Sequence, residues 1–250
     1  MSFHGSSERF NTKIDWLDAR HYFSFGGHFD PNRISFGALL VVNDDIIKAH
    51  SGFDTHPHRD MEIITIPFAG TLSHKDSSGG VGRTSAGEVQ TMTAGTGIAH
   101  SEFNDGDVDV HSFQIWILPH TRSLRPAYAQ KSFDKTSDSA VLLVSPDGRS
   151  GSLPINQDGY IWSLVLSAGS SVQHFVVSGS IYEVNQGIQS GLFITCVSGS
   201  VNIEGVENTL ASGDWVEITD IADTESITLS AIAEGSQVLI LQVPMISLNA

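Results

Sequence analysis

The chain has 250 residues, 40% hydrophobic and only 16% charged, which is enough apolar material for one large or two small cores and too much for a disordered chain. Its formal net charge of -15 repels phosphate backbones and anionic headgroups, so nucleic acid and membrane surfaces are excluded as direct partners. The 24 glycines among many Val, Ile, Thr and Ser favour short strands and tight turns over long helices.

The opening stretch MSFHGSSERFNTKIDW has no basic segment followed by an apolar run, so no signal peptide is expected, and the chain reads as a cytoplasmic protein. SERFNTKIDWLDARHYF (7–23) has room for a helical turn or two. Strands are expected at RISFGALLVV (33–42), EIITIPF (62–68) and SFQIWIL (112–118), with NDD (43–45) and SSGG (77–80) read as turns. LRPAYAQKSF (124–133) is the other candidate for a little helix. The second half continues with AVLLV, IWSLVL, LFITCV, VNIEG and QVLILQV, separated by PDG, SGS and EG. The uncharged run 159–182 alternates in polarity and reads as strands, not a membrane span. Cys196, the only cysteine, suits a strand core and excludes an intrachain disulfide or a cysteine zinc site.

A faint internal repeat runs through this pattern. AGT (69–71) and SAGE (85–88) match SGS (198–200) and ASGD (211–214), with Gly70 and Gly87 answering to Gly199 and Gly213. The reading is an all-β chain of two similar small barrels in tandem, joined near Lys131–Ser139. Of 11 histidines only His174 lies beyond His120, so histidine chemistry belongs to the first half.

That chemistry concentrates in two stretches. In THPHRDMEI, His56, His58, Asp60 and Glu62 share strand parity with Ile64 and Ile66, which places them on an inward side. Imidazoles there need partners, and a metal ion is one. In GIAHSEFN, His100 and Glu102 are again two apart, after the glycine-rich bend TAGTG. Two such pairs meeting across a barrel offer three nitrogens and a carboxylate oxygen. That set suits iron(II), and also manganese, nickel, copper or zinc. Glu62 is open to two roles, as a ligand or as a group orienting a histidine. His74 is expected to be solvated or bonded to its loop, His111 to be a satisfied strand histidine, and His50 and His120 to do no chemistry. No nucleophile elbow, H-E-x-x-H or phosphate-binding loop is present.

GFDTHPHRDMEI and MTAGTGIAHSEFN resemble the two signature stretches of the pirin family of the cupin superfamily. FDPNRISFGALLVVNDD and VSPDGRSGSLPINQD are similar to bacterial pirins as well. The resemblance implies a bicupin: two jelly-roll-type antiparallel barrels with few short helices, a metal-binding domain at 1–135 and a C-terminal domain at 136–250 without ligands. It assigns one divalent ion, iron(II) first, to His56, His58, His100 and Glu102, and leaves Glu62 as a supporting residue. Offsets from the repeat glycines place the second half's counterparts at Asn185, Gly187 and Ser226, none a good ligand. The implied activity is quercetin 2,3-dioxygenase: a flavonol chelates the metal, Glu102 takes its hydroxyl proton, and dioxygen opens the ring. The alternative is a non-enzymatic metal-binding regulator with a protein partner. KAHSGFD before the first histidine, and Glu88 in place of an aspartate, depart from the family pattern.

Overall fold

The computed structural model describes residues 1–134, 136–219, 221 and 225–247; Lys135, at the expected domain boundary, lies outside them. The described residues form β1 (Ser2–His4), β2 (Phe10–Lys13), β3 (Leu17–His21), β4 (Leu39–Ile47), β5 (Ser51–His58), β6 (Glu62–Ala69), β7 (Thr71–Asp76), β8 (Val81–Ser85), β9 (Glu88–Thr93), β10 (Ile98–Asn104), β11 (Val110–Ile117) and β12 (Ala127–Ser132). They continue as β13 (Ser139–Ser145), β14 (Leu153–Pro154), β15 (Tyr160–Leu166), β16 (Ser171–Phe175), β17 (Ser190–Ser198), β18 (Ser200–Ile203), β19 (Leu210–Ala211), β20 (Trp215–Ile218), β21 (Ser226–Ala231) and β22 (Ser236–Pro244). Among the described residues helix is confined to short 3-10 turns such as Ser6–Glu8 and Glu183–Asn185. The expected helical turn at 124–133 is instead β12, because pairing along β9 outweighs the local preference of its alanines. No helix among the described residues is long and apolar enough to cross a membrane.

Each half is a sandwich of a seven-stranded and a four-stranded sheet. The first half stacks β12-β9-β6-β11-β4-β3-β2 against β5-β10-β7-β8; the second stacks β1-β20-β17-β22-β15-β13-β14 against β16-β21-β18-β19. The sandwiches keep their jelly-roll order without closing into hydrogen-bonded barrels. The N-terminal strand β1 belongs to the second half, where it pairs with β20. Gly70 and Gly87 (φ +72° and +93°) and Gly199 and Gly213 (φ +82° and +84°) occupy the same two turns of each half, in a left-handed conformation that side chains resist.

Following the ladders out from those turns pairs the two interiors position by position. Thr65 corresponds to Ile194, Gln90 to Val216, His74 to Ile203, His100 to Ile227 and Glu102 to Leu229. On the outer strands, His56 corresponds to His174, Asp45 to Leu164 and Asn43 to Trp162. This corrects the offset count. Asn185 and Gly187 lie in the connection between β16 and β17, which is longer than that between β5 and β6, and Ser226 is one residue short of the His100 position.

Packing reflects the difference between the halves. The two seven-stranded sheets share one apolar core, with Ile64, Ile66, Phe113 and Ile115 meeting Phe193, Leu239 and Leu241. A second cluster, including Leu164, Ile194, Ile203, Val216, Ile227 and Leu229, fills the second sandwich. The interior of the first is only partly apolar, and the parity expectation fails there for a clear reason. The chain leaves β5 at His58, turns at Asp60 (φ +48°) and enters the opposite sheet at Glu62. Ile64 and Ile66 therefore face the second half, whereas Ile63 and Thr65 face inward. NDD is a correction too. Asn43, Asp44 and Asp45 lie within β4, not in a turn.

Candidate metal centre

β10 lies between β5 and β7 in the four-stranded sheet. His100 lies across from His56 on β5 and from Asp76 on β7, while Glu102 lies across from Phe53 and His74. A β-bulge between His100 and Glu102 shifts the β5 register. Gly52 permits the close approach, since a Cβ there would sit 2.3 Å from the Glu102 carbonyl oxygen. The rings of His56, His58 and His100 lie 4.5–4.8 Å apart between centroids. Their ligand atoms fall within 4.8 Å of one another, as do those of His74, His100 and Glu102. His100 is thus common to both groups, and Glu102 is grouped with His100 and His74.

The imidazoles are set up to offer lone pairs. Burial, reinforced by neighbouring histidines, pushes His58 down to about 4 and His100 to about 3, so both are neutral near pH 7. His56 Nδ1 donates to the Asp54 carbonyl (2.7 Å), which leaves Nε2 free. His74 is not solvated. It is buried on β7, stacked on Tyr128, with Nε2 3.1 Å from Asp76 Oδ2. Burial opposes ionisation of Asp76, but hydrogen bonds from Ser78, His74 and Gly80 outweigh it and hold the carboxyl at about 2. An anionic Asp76 takes the Nε2 proton of His74 as a hydrogen bond. His74 Nδ1 then accepts from His100 Nδ1, 3.3 Å away. The chain ends at His100 Nε2, a buried nitrogen with no hydrogen-bond partner among the described residues. A divalent ion is the partner these donors fit: neutral nitrogens, one of them orphaned, beside a carboxylate.

Glu102 is wholly buried. Thr65 donates to its Oε1 (3.3 Å) and Gln114 to its Oε2 (2.6 Å), while Gln114 itself accepts from Trp116 Nε1 (3.1 Å). Burial raises the carboxyl above the ordinary range, partly offset by His74 and His56. Glu62 is elsewhere, which corrects the supporting role expected of it. It points away from the histidines, toward the second half, and accepts from Thr93 (2.9 Å) and Asn156 (3.2 Å). The cause is the crossing at Asp60, which puts Glu62 on the face opposite Thr65. His111 bonds Asp44 (2.7 Å), exposed His50 pairs with Asp107, and His120 stacks on Tyr182.

His56, His58 and Glu102 open onto a cavity of about 330 Å³. Phe25, Phe53 and Trp116 give it aromatic walls, and the facing sheet adds His21, Asn43 and Asp45. Sequence reading missed His74 and this polar wall. The signal was available in LLVVNDDII, where polar residues are flanked by apolar runs within one strand length.

Two family models match the chain: Pirin over residues 4–117, and the quercetinase C-terminal cupin domain over 142–243. Quercetin 2,3-dioxygenase of Escherichia coli K12 is 38% identical over 96% of both chains. A pirin-like protein of Caulobacter vibrioides is 36% identical over 90% of this chain and 92% of its own. The crystal structure of the bacterial pirin YhhW from Escherichia coli in complex with nickel(II) superposes with a TM-score of 0.86 at 37% identity, covering 97% of this chain and 98% of that one.

Proposed function

The chain belongs to the pirin family, and from that premise we propose that it is a metal-dependent dioxygenase that opens the central ring of a flavonol such as quercetin. The observation that carries this reading is the orphaned His100 Nε2, set beside His56 and His58 at one end of an aromatic-walled cavity. His56, His58, His100 and Glu102 would hold the ion; iron(II) suits them, and nickel(II) is bound by a pirin relative. When bound, the ion would act as a Lewis acid that lowers the pKa of the flavonol hydroxyl beside its keto oxygen.

The chain's own residues supply the rest. Glu102 would serve as the base once its carboxylate has loosened from the ion. Burial then favours the protonated carboxyl, and Thr65 and Gln114 keep hydrogen bonds to its two oxygens. Phe25, Phe53 and Trp116 offer flat apolar surface to an aromatic ring system and exclude water from the electron-rich anion that results. Dioxygen then adds to the ring, which opens with loss of carbon monoxide.

The test is to load the protein anaerobically with iron(II), manganese(II), nickel(II) or copper(II), add quercetin and oxygen, and follow flavonol absorbance and carbon monoxide. Turnover with one of these metals supports the reading. No turnover with any refutes it and leaves metal-dependent binding of a protein partner as the function to pursue.

A further inference from the structure

The second sandwich shows what this fold needs in its interior when it holds no metal ligand set. Where the first half has Gln90, His100, Glu102 and Asp45, the second has Val216, Ile227, Leu229 and Leu164, all within one apolar cluster. The polar set in the first half is therefore not a requirement of the fold. Most of its members have partners: Gln90 bonds Thr84 and His74, and Glu102 bonds Thr65 and Gln114. Two groups do not. One is His100 Nε2, which is buried without a hydrogen-bond partner.

The other is Asp45. It is 4% exposed, lies on β4 and lines the 330 Å³ cavity together with His56 and His58. Its carboxyl makes no hydrogen bond among the described residues, and Oδ1 is buried outright. The neighbouring charges, Asp44 and Glu102, repel it. A buried carboxyl oxygen without a hydrogen-bond donor is costly. Leucine is what the same position carries in the other half.

We infer that Asp45 is a specificity-determining residue of the cavity: its carboxyl accepts a hydrogen bond from a hydroxyl group of the bound aromatic ligand, one other than the pair that chelates the metal. This rests on the flavonol reading and narrows it to polyhydroxylated ring systems. Either protonation state of the carboxyl keeps an oxygen lone pair for that hydroxyl. A ligand that covers Asp45 but lacks the hydroxyl leaves its carboxyl unpaired, and discrimination on that basis exceeds what apolar contact gives.

The experiment measures binding without turnover, on nickel(II)-loaded full-length protein under anaerobic conditions. Quercetin is compared with 3-hydroxyflavone, which keeps the chelating pair and lacks the other hydroxyls. The intact protein is expected to prefer quercetin by at least about tenfold. Asp45→Leu is expected to bind 3-hydroxyflavone as well as the parent or better and to lose the preference, at unchanged nickel content. Asp45→Asn, which keeps the volume and one carbonyl acceptor, is expected to retain part of it. A preference that survives in both variants at full nickel load overturns the inference and leaves the flavonol reading standing. Failure of both flavonols to bind the intact holoprotein overturns both.

Discussion

Replacing Glu62 by Gln separates two roles that the sequence alone confounds. Glu62 is 1% exposed, and burial pushes its carboxyl from 4.5 up to about 7 against the hydrogen bonds from Thr93 and Asn156. Below pH 4.5 the group is protonated whether the chain is folded or not, and it adds no pH dependence. As pH rises toward 7 the unfolded chain releases the proton and the folded chain keeps it, so the unfolded state binds fewer protons and stability falls. Above pH 7 the loss is complete, at about 3 kcal/mol, since each pH unit between the two values is worth about 1.4 kcal/mol. Glutamine resembles the neutral acid and has no such dependence. The stability difference between Glu62→Gln and the parent should therefore grow in favour of the variant by about 2 kcal/mol between pH 5.5 and 8. Urea denaturation of the metal-free proteins across that range measures it, with the slopes checked for equality. Nickel(II) affinity by calorimetry should be unchanged, because Glu62 faces away from the histidines. A difference that is flat with pH would refute the burial argument. A tenfold loss of metal affinity would refute the placement.

Other changes probe the centre directly. His58→Ala and His100→Ala should each lower metal occupancy, measured by elemental analysis, and turnover with it; full activity at parental metal load would sink the ligand assignment. Asp76→Asn weakens the chain through His74 to His100, and metal affinity should fall about 10- to 100-fold with only a modest change in thermal stability. The cobalt(II) absorption spectrum should shift as the imidazole loses basicity, which a purely structural role would not produce. Gly52→Ala drives a methyl group into the Glu102 backbone. It should lower the melting temperature and the metal affinity together, and the histidine resonances in NMR spectra should move.

The repeat glycines made the duplicated fold legible, because a left-handed turn restricts residue choice sharply and the same two turns recur. The paired histidine motifs were legible because alternation puts residues two apart on one face. The errors have physical causes as well. Strand parity does not extend from His58 to Ile66, because the chain turns at a single left-handed residue, Asp60, and crosses to the other sheet. NDD looked like a turn because Asn and Asp are poor strand formers; it sits in a strand because β3 and β11 pair with it on both sides and its inward members line the cavity. His74 was read as a loop residue since nothing local announces that β7 runs beside β10. That knowledge exists only in the ladder.

The two halves bear on how a polar interior is tolerated at all. A sandwich lined by His74, Gln90, Glu102 and Asp45 gives up apolar burial that its twin keeps with Ile203, Val216, Leu229 and Leu164. Outside the sandwich lies the shared core between the seven-stranded sheets, where Ile64, Ile66, Phe113 and Ile115 of β6 and β11 meet residues of β17 and β22. Tyr22 of the first half bonds Thr195 of the second within it (2.8 Å), and β1 anchors the chain's start on the far sheet. The shared core ties the sandwich that holds unpaired nitrogen and carboxyl groups to one that is largely apolar inside. His174, buried at the place of His56, keeps a histidine at the same position of both interiors.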